Sequence, residues 1–323
     1  QLRESLAEIP EQHSREIIIG LDKPDDAAVV KPAPGCLGVH TIDHFKEFID
    51  DPWVLGKIAV NHALNDIFAM GAVPKTALAI VGLPLAGPKL MKNDMALLMR
   101  GAMQGLQENK TTLIGGHTNE SEEINVGFSV NGEIKENEII RKNGARAGDV
   151  VILTRPIGSG VLFAGLMAGE VRGRWISSAL KKMSQSNFEA SNVLRQYKAS
   201  SLTDVTGFGL VGHLTEMLEN SILGVKIYVD KLPLYEGALQ LTSKGIESSL
   251  KPDNMLIPHR IAPEKITNPE YALCFDPQTA GGMLATIEKS TSQSCIQNLR
   301  NIGYQDTAII GEISTEIRGI IIC

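Results

Sequence analysis

The chain of 323 residues has only four cysteines, at positions 36, 274, 295 and 323. No two lie close in sequence, which excludes a zinc knot or a C-x-x-C redox pair. Such sparse thiols suit a reducing, cytoplasmic compartment, and each reads as a buried or incidental thiol. No apolar run approaches the roughly 20 residues that span a bilayer. The opening stretch, QLRESLAEIPEQHSREIIIG, is mixed and charged rather than a signal peptide. It also lacks an initiator Met, which reads as a fragment or a trimmed chain. Positive charge is not in excess. The net charge is -6, which argues against nucleic acid or an anionic membrane as partner. Walker A (Gly-Lys-Ser/Thr) and the G-x-S-x-G elbow are both missing. An anionic ligand must therefore be held locally, by backbone amides, a few cations or metal ions.

What is present fits a globular protein of one large or two ordinary domains. IIIGL (17–21), AAVV (27–30) and VHTID (39–43) read as strands. WVLGKIAVNHALNDIFAMGA (53–72) is apolar on nearly all sides, the pattern of a buried helix, with Gly71 suited to its stop. TALAIVGLPL and INVGFSVNGEI read as strands, DMALLMRGAMQGLQENK as a helix tolerating two glycines, and TTLIGGHT as a strand running into a Gly-Gly loop. RKNGARAGDVV (141–151) turns from polar to apolar and marks a boundary, giving domains 1–142 and 143–323. In the second, NFEASNVLRQYKA is a helix, VKIYVD a strand, and LATIEK, CIQNLRNIG, AIIGEI and GIIIC complete an α+β pattern. The proline-rich segment 251–269 reads as an ordered loop.

Three acidic spots stand where core residues are expected. Asp25 and Asp26 precede an apolar strand, Asp66 lies inside the apolar helix, and Asp204 sits in SSLTDVTGFGLVGHLTEM. Buried carboxylates are costly unless paired, hydrogen-bonded or metal-bound. Magnesium typically links a few carboxylates to substrate phosphates, so three aspartates from distant segments suit Mg²⁺ between protein and nucleotide. The structural alternatives stay open at this level. Asp25 and Asp26 also fit a turn, and Asp204 a helix N-cap. His62 and Asp66, four residues apart, share a helix face and fit either a ligand pair or an interior hydrogen bond. TGFG, GGHT (115–118) and DPQTAGG (276–282) are glycine-rich turns whose amides suit anions. Gly207 and Gly209 let backbone come close to a ligand, and the alternative for DPQTAGG is a tight turn with close backbone contact.

Together PDDAAVV, HTID, ALNDIFAMGA, LIGGHT, GDVVILTRPIGSGV, TDVTGFGLVGHL and FDPQTAGGMLA, in this order over most of the chain, resemble the selenophosphate synthetase (selenide, water dikinase) family. DDAAV alone also fits the related thiamine-monophosphate kinases and aminoimidazole ribonucleotide synthetases. The resemblance implies a two-domain aminoimidazole ribonucleotide synthetase-like α/β (α+β) fold. Its N-terminal domain contributes to a β-barrel at a homodimer interface, and its C-terminal domain is an α/β sandwich. It implies ATP and selenide as substrates, Mg²⁺ as cofactor, and selenophosphate, orthophosphate and AMP as products. By motif match, Asp26, Asp66 and Asp204 are the metal ligands. Lys23, Pro24, Asp25, Asp43 and Asp66 contact ATP, with Gly116, His117 and Thr118 reaching it from the partner subunit. The family's catalytic Cys and Lys match nothing here and are expected upstream of Gln1. His62 stands where many members have Asn, and a histidine there would add charge near the phosphates at low pH. NHALNDIFAMGA and GRWI most resemble the version fused behind a flavin-dependent NADH-dehydrogenase-like domain, which implies a covalent flavoprotein neighbour. The alternatives are a related ATP-dependent enzyme for another small molecule, and a nucleotide-binding module without its nucleophile.

Overall fold

A computed structural model describes residues 17–19, 29–219, 221–265 and 268–323. Lys23, Pro24, Asp25 and Asp26 lie outside the described residues. The chain divides into two units, Gln1–Ile139 with Ser184–Ser186, and Ile140–Met183 with Asn187–Cys323.

In the first unit β1 (Ile17–Ile19) and β2 (Val29–Val30) form a small antiparallel pair. The main sheet has four strands: β3 (Leu37–Lys46), β4 (Val73–Pro84), β5 (Thr112–Ser121) and β6 (Asn125–Ile134). Their order is β3-β6-β4-β5, antiparallel except for the parallel β4–β5 pair. Two helices, α1 (Pro52–Ala69) and α2 (Pro88–Glu108), pack with it. The entry to α1 is set by Asp51, whose carboxylate accepts the Val54 N–H at 3.1 Å, and by Pro52 in the first turn. Its apolar sequence is matched by burial of Leu55, Ile58, Leu64, Ile67 and Phe68. The two helices meet almost backbone to backbone. A Cβ at Gly101 would fall 1.8 Å from the Trp53 carbonyl oxygen, which explains why α2 carries a glycine in its interior.

The second unit has a seven-stranded mixed sheet. Its strands are β7 (Asp149–Leu153), β8 (Ser201–Asp204), β9 (Gly224–Ile227), β10 (Arg260–Ile261), β11 (Met283–Glu288), β12 (Ala308–Ser314) and β13 (Gly319–Ile322), in the order β10-β13-β9-β12-β7-β11-β8. The continuous apolar run VVIL of β7 sits near the middle of the sheet and is wholly buried. Around the sheet run α3 (Ser159–Met167), α4 (Gly173–Met183), α5 (Phe188–Gln196), α6 (Gly209–Met217), α7 (Ala238–Ser243), α8 (Lys251–Asn254), α9 (Glu270–Leu273) and α10 (Ser292–Asn301). The segment 251–269 is ordered where described. It holds α8 and β10, and the latter pairs with β13. Among the described residues no helix is long and apolar enough to cross a membrane.

Candidate functional site

In the first unit a polar cluster forms between β3 and α1. Alternation along β3 turns Thr41, Asp43 and Phe45 to one face. The helical period puts His62 and Asp66 one turn apart on α1. The Thr41 hydroxyl donates to Asp66 Oδ2 at 2.6 Å. Asp43 Oδ1 lies 3.7 Å from His62 Nε2, and the Phe45 ring meets the His62 imidazole edge-on at 5.2 Å. Burial, and then the neighbouring Asp66 carboxylate, push Asp43 up to about 6. Burial holds His62 down to about 4, against the pull of Asp66. His62 is therefore neutral across the physiological range. The apolar packing of α1 disfavours the imidazolium more than one carboxylate favours it. A carboxylate whose ionisation is made costly by burial and by a neighbouring carboxylate belongs to a site that would gain from a divalent cation. Among the described residues, however, no three of His, Cys, Asp and Glu stand close enough to hold an ion.

Gly116, His117 and Thr118 lie elsewhere in this unit. They are not in a loop after a strand, as the Gly-Gly pair suggested, but inside β5. The glycines serve close strand approach, because a Cβ at Gly116 would sit 2.4 Å from the Ala79 carbonyl oxygen. Register shifts beside Ala77 and Leu78 mark the irregularity in the ladder. Among the described residues β5 pairs only with β4, so one side of its backbone is open. Asp43 and Gly116 occupy one cross-strand row, Asp43–Phe128–Ala79–Gly116. They stand on opposite edge strands, roughly 14 Å apart at the usual strand spacing.

In the second unit Asp204 is the last residue of β8, the other edge of the large sheet, and is only 4% exposed. It is not an N-cap. Phe208 holds that position before α6, without a side-chain cap, because Val205–Phe208 intervene between strand and helix. Those residues are fastened through their backbone. The Val205 N–H donates to the Gly282 carbonyl, and the Thr206 carbonyl accepts from the Gly209 and Gln278 N–H groups. His213 Nε2 accepts the Thr206 N–H at 2.9 Å. Gly209 has φ +66, and a Cβ there would fall 2.8 Å from the Phe275 carbonyl carbon, so glycine is required by fold geometry.

The DPQTAGG stretch closes against the start of α3. The Gln278 side-chain oxygen accepts from the Gly158 and Ser159 N–H groups and the Ser159 hydroxyl, each at 3.0 Å. Asp276 Oδ2 accepts the Val161 N–H at 3.2 Å. Burial pushes Asp276 up to about 7, opposed by those hydrogen bonds. Gln278 is thus an internal substitute for an anion at a helix N-terminus, and DPQTAGG takes the structural alternative. Sequence reading missed Thr41, His213, Asn254 and Gln278. Thr41 was legible, since period two puts it on the Asp43 face. The other three were not, since their partners are distant backbone groups. Burial pushes the Cys274 and Cys295 thiols up to about 12, which unfits both as nucleophiles.

Comparison with known proteins gives two family matches: AIR synthase related protein, N-terminal domain, over residues 24–134, and its C-terminal domain over 146–323. The chain is 33% identical over 308 residues to the selenide, water dikinase of Pelobacter propionicus, covering 93% of this chain and 86% of the relative. It is 35% identical over 303 residues to that of Aliarcobacter butzleri, covering 92% and 86%. Among solved structures, thiamine-monophosphate kinase from Stenotrophomonas maltophilia superposes with a TM-score of 0.73 at 18% identity, over 99% of this chain and 94% of that one. The E. coli hydrogenase maturation protein HypE does so at 0.72 and 18%, over 99% and 90%. These two speak to the fold: two α/β units of AIR synthase type.

Proposed function

Since the chain belongs to the AIR synthase-related family and, within it, to the selenide, water dikinases, we propose that it makes selenophosphate from ATP, selenide and water, releasing AMP and orthophosphate. The observation that carries the reading is the neighbouring carboxylates Asp43 and Asp66, the latter held by the Thr41 hydroxyl, in the motifs HTID and ALNDIFAMGA. Their repulsion is relieved by Mg²⁺ carried in with ATP. Mg²⁺ supplies charge neutralisation of the triphosphate. Asp66 and Asp204 are the proposed metal ligands, joined by Asp26, which lies outside the described residues. Asp43 and the Lys23–Asp25 turn are proposed to orient the nucleotide for in-line transfer. The half-buried His62, its charge disfavoured by burial, packs beside Asp43.

The reading includes a homodimer. Asp43 and Gly116 stand on opposite edges of one sheet, so one chain does not bring them together through that sheet. Two copies joined β5 edge to β3 edge would do so, with Gly116, His117 and Thr118 offering the open backbone of β5 to the partner's ATP. Ile42 (59% exposed) and Leu78 (36% exposed) share one cross-strand row through Ser129, an apolar strip suited to such closure.

The test is AMP release by the protein expressed from its complete gene, with and without selenide, at saturating Mg·ATP. Selenide-dependent AMP together with selenophosphate supports the reading. AMP formation indifferent to selenide, or phosphorylation of thiamine monophosphate, would replace it.

A further inference from the structure

We propose that Asn254 is a positioning residue for the proposed reaction, a clamp from the proline-rich segment that fixes the loop following Asp204. The inference rests on the reading of Asp204 as a ligand of Mg·ATP. Asn254 is 6% exposed and sits in α8, a single helical turn. Its side-chain amide nitrogen donates to the Gly207 carbonyl at 2.9 Å and to the Phe275 carbonyl at 2.9 Å. Gly207 belongs to TDVTGFG and Phe275 to FDPQTAGG. One NH₂ group therefore spends both hydrogens joining the two signature loops. The opposite amide orientation would set its oxygen against two carbonyl oxygens, so the hydrogen-bond pattern fixes the flip.

The rest of the loop explains why this joint matters. Val205 is tied to Gly282, and Thr206 to His213 and Gln278. Gly207 is the next residue outward, and a Cβ there would meet nothing within 4 Å. No steric wall holds its backbone in place, so a hydrogen bond must. The flanking Leu250 and Leu256 contribute little to seating α8, being 50% and 81% exposed. The buried side chains of this turn are Lys251, which reaches Glu247, and Asn254, which reaches the two loops, and a carboxylate metal ligand works only when its backbone support is fixed.

The experiment measures Mg²⁺ half-saturation of ATP binding by calorimetry, alongside melting temperature. It uses the protein from the complete gene and its Asn254→Ala, Asn254→Ser, Asn254→Asp, Asp204→Asn and Leu299→Ala variants. Leu299 is wholly buried in α10 and serves as a control that lowers stability without touching either loop. Asn254→Ala is expected to raise Mg²⁺ half-saturation about tenfold, the scale of lost support behind a metal ligand. Asn254→Asp should raise it further, and Asn254→Ser, which keeps one donor, should recover part of the loss. Leu299→Ala should lower the melting temperature without moving it. If Asp204→Asn shifts half-saturation while the Asn254 variants match Leu299→Ala, the clamp is overturned and the ligand reading stands. If Asp204→Asn leaves half-saturation unchanged, the ligand reading falls and the clamp falls with it. Should Asn254→Ala fail to fold, the Ser and Asp variants carry the same comparison.

Discussion

Asp43 and Asp204 are both carboxylates in edge strands, yet their surroundings differ in kind. Asp43 is held in tension, near a second carboxylate and a neutral imidazole, and pushed up to about 6. Asp204 ends a strand whose following loop is fastened at the Val205 and Thr206 N–H groups and at the Thr206 and Gly207 carbonyls. One site carries a costly charge that the proposed cation would relieve. The other supplies a carboxylate on a stiff mount. A metal–nucleotide site gains from both, since strain adds affinity for charge while stiffness keeps the geometry when charge moves.

The sharpest way to break the comparison is Asp204→Asn. On the proposed ligand role, its loss should lower kcat/KM by about 100-fold, with a melting temperature within a few degrees of the parent. A large melting loss with unchanged kinetics would make Asp204 structural.

Asp43→Asn should weaken Mg·ATP binding about tenfold and at the same time stabilise the nucleotide-free protein. The sign follows from linkage. The folded carboxyl titrates at about 6, above its ordinary 3.8, so its ionised form costs stability at pH 7 to 8. That cost fades as pH falls through 6 and is gone below about 4. Thermal melts from pH 4 to 8 should show the variant's advantage only at the upper end. An equal melting difference at every pH would remove the strain argument.

Asp276→Asn tests a strained acid away from the proposed ligands. With Asp276 titrating at about 7, the amide should raise the melting temperature at pH 8, and this gain should disappear toward pH 4. Unlike Asp43→Asn, it should leave Mg²⁺ half-saturation unchanged. A change there would bring Asp276 into the nucleotide site.

The smallest pair compares two glycines of one loop. Gly209→Ala should cost about 1–3 kcal/mol, from its left-handed backbone and the overlap with Phe275. Gly207→Ala, with open space around it, should change stability by less than about 0.5 kcal/mol. Urea melts separate the two, and equal losses would overturn the distinction.

Much of the fold was legible locally. The all-round apolar α1, the alternating β3 and the buried β7 follow from periodicity, because burial on one or all faces leaves a pattern in composition. GGHT was misread, since a glycine that ends a strand and one that admits a neighbouring strand look alike in sequence. Asp204 fits a cap or a ligand in sequence, and the four residues between it and α6 remove the cap. Asn254 carried no signal, because its partners are backbone carbonyls, which every residue has.

The sequence by itself determined the element types, the carboxylates at apolar positions and, through its ordered motifs, the family. Only the tertiary structure decided that His62 is neutral, that Gln278 rather than a ligand occupies the α3 N-terminus, and that Asn254 joins two distant loops. The physical reason is common to all three. Desolvation and hydrogen-bond pairing depend on which backbone and side-chain groups from distant segments end up within about 3 Å of each other, and only the folded chain fixes that.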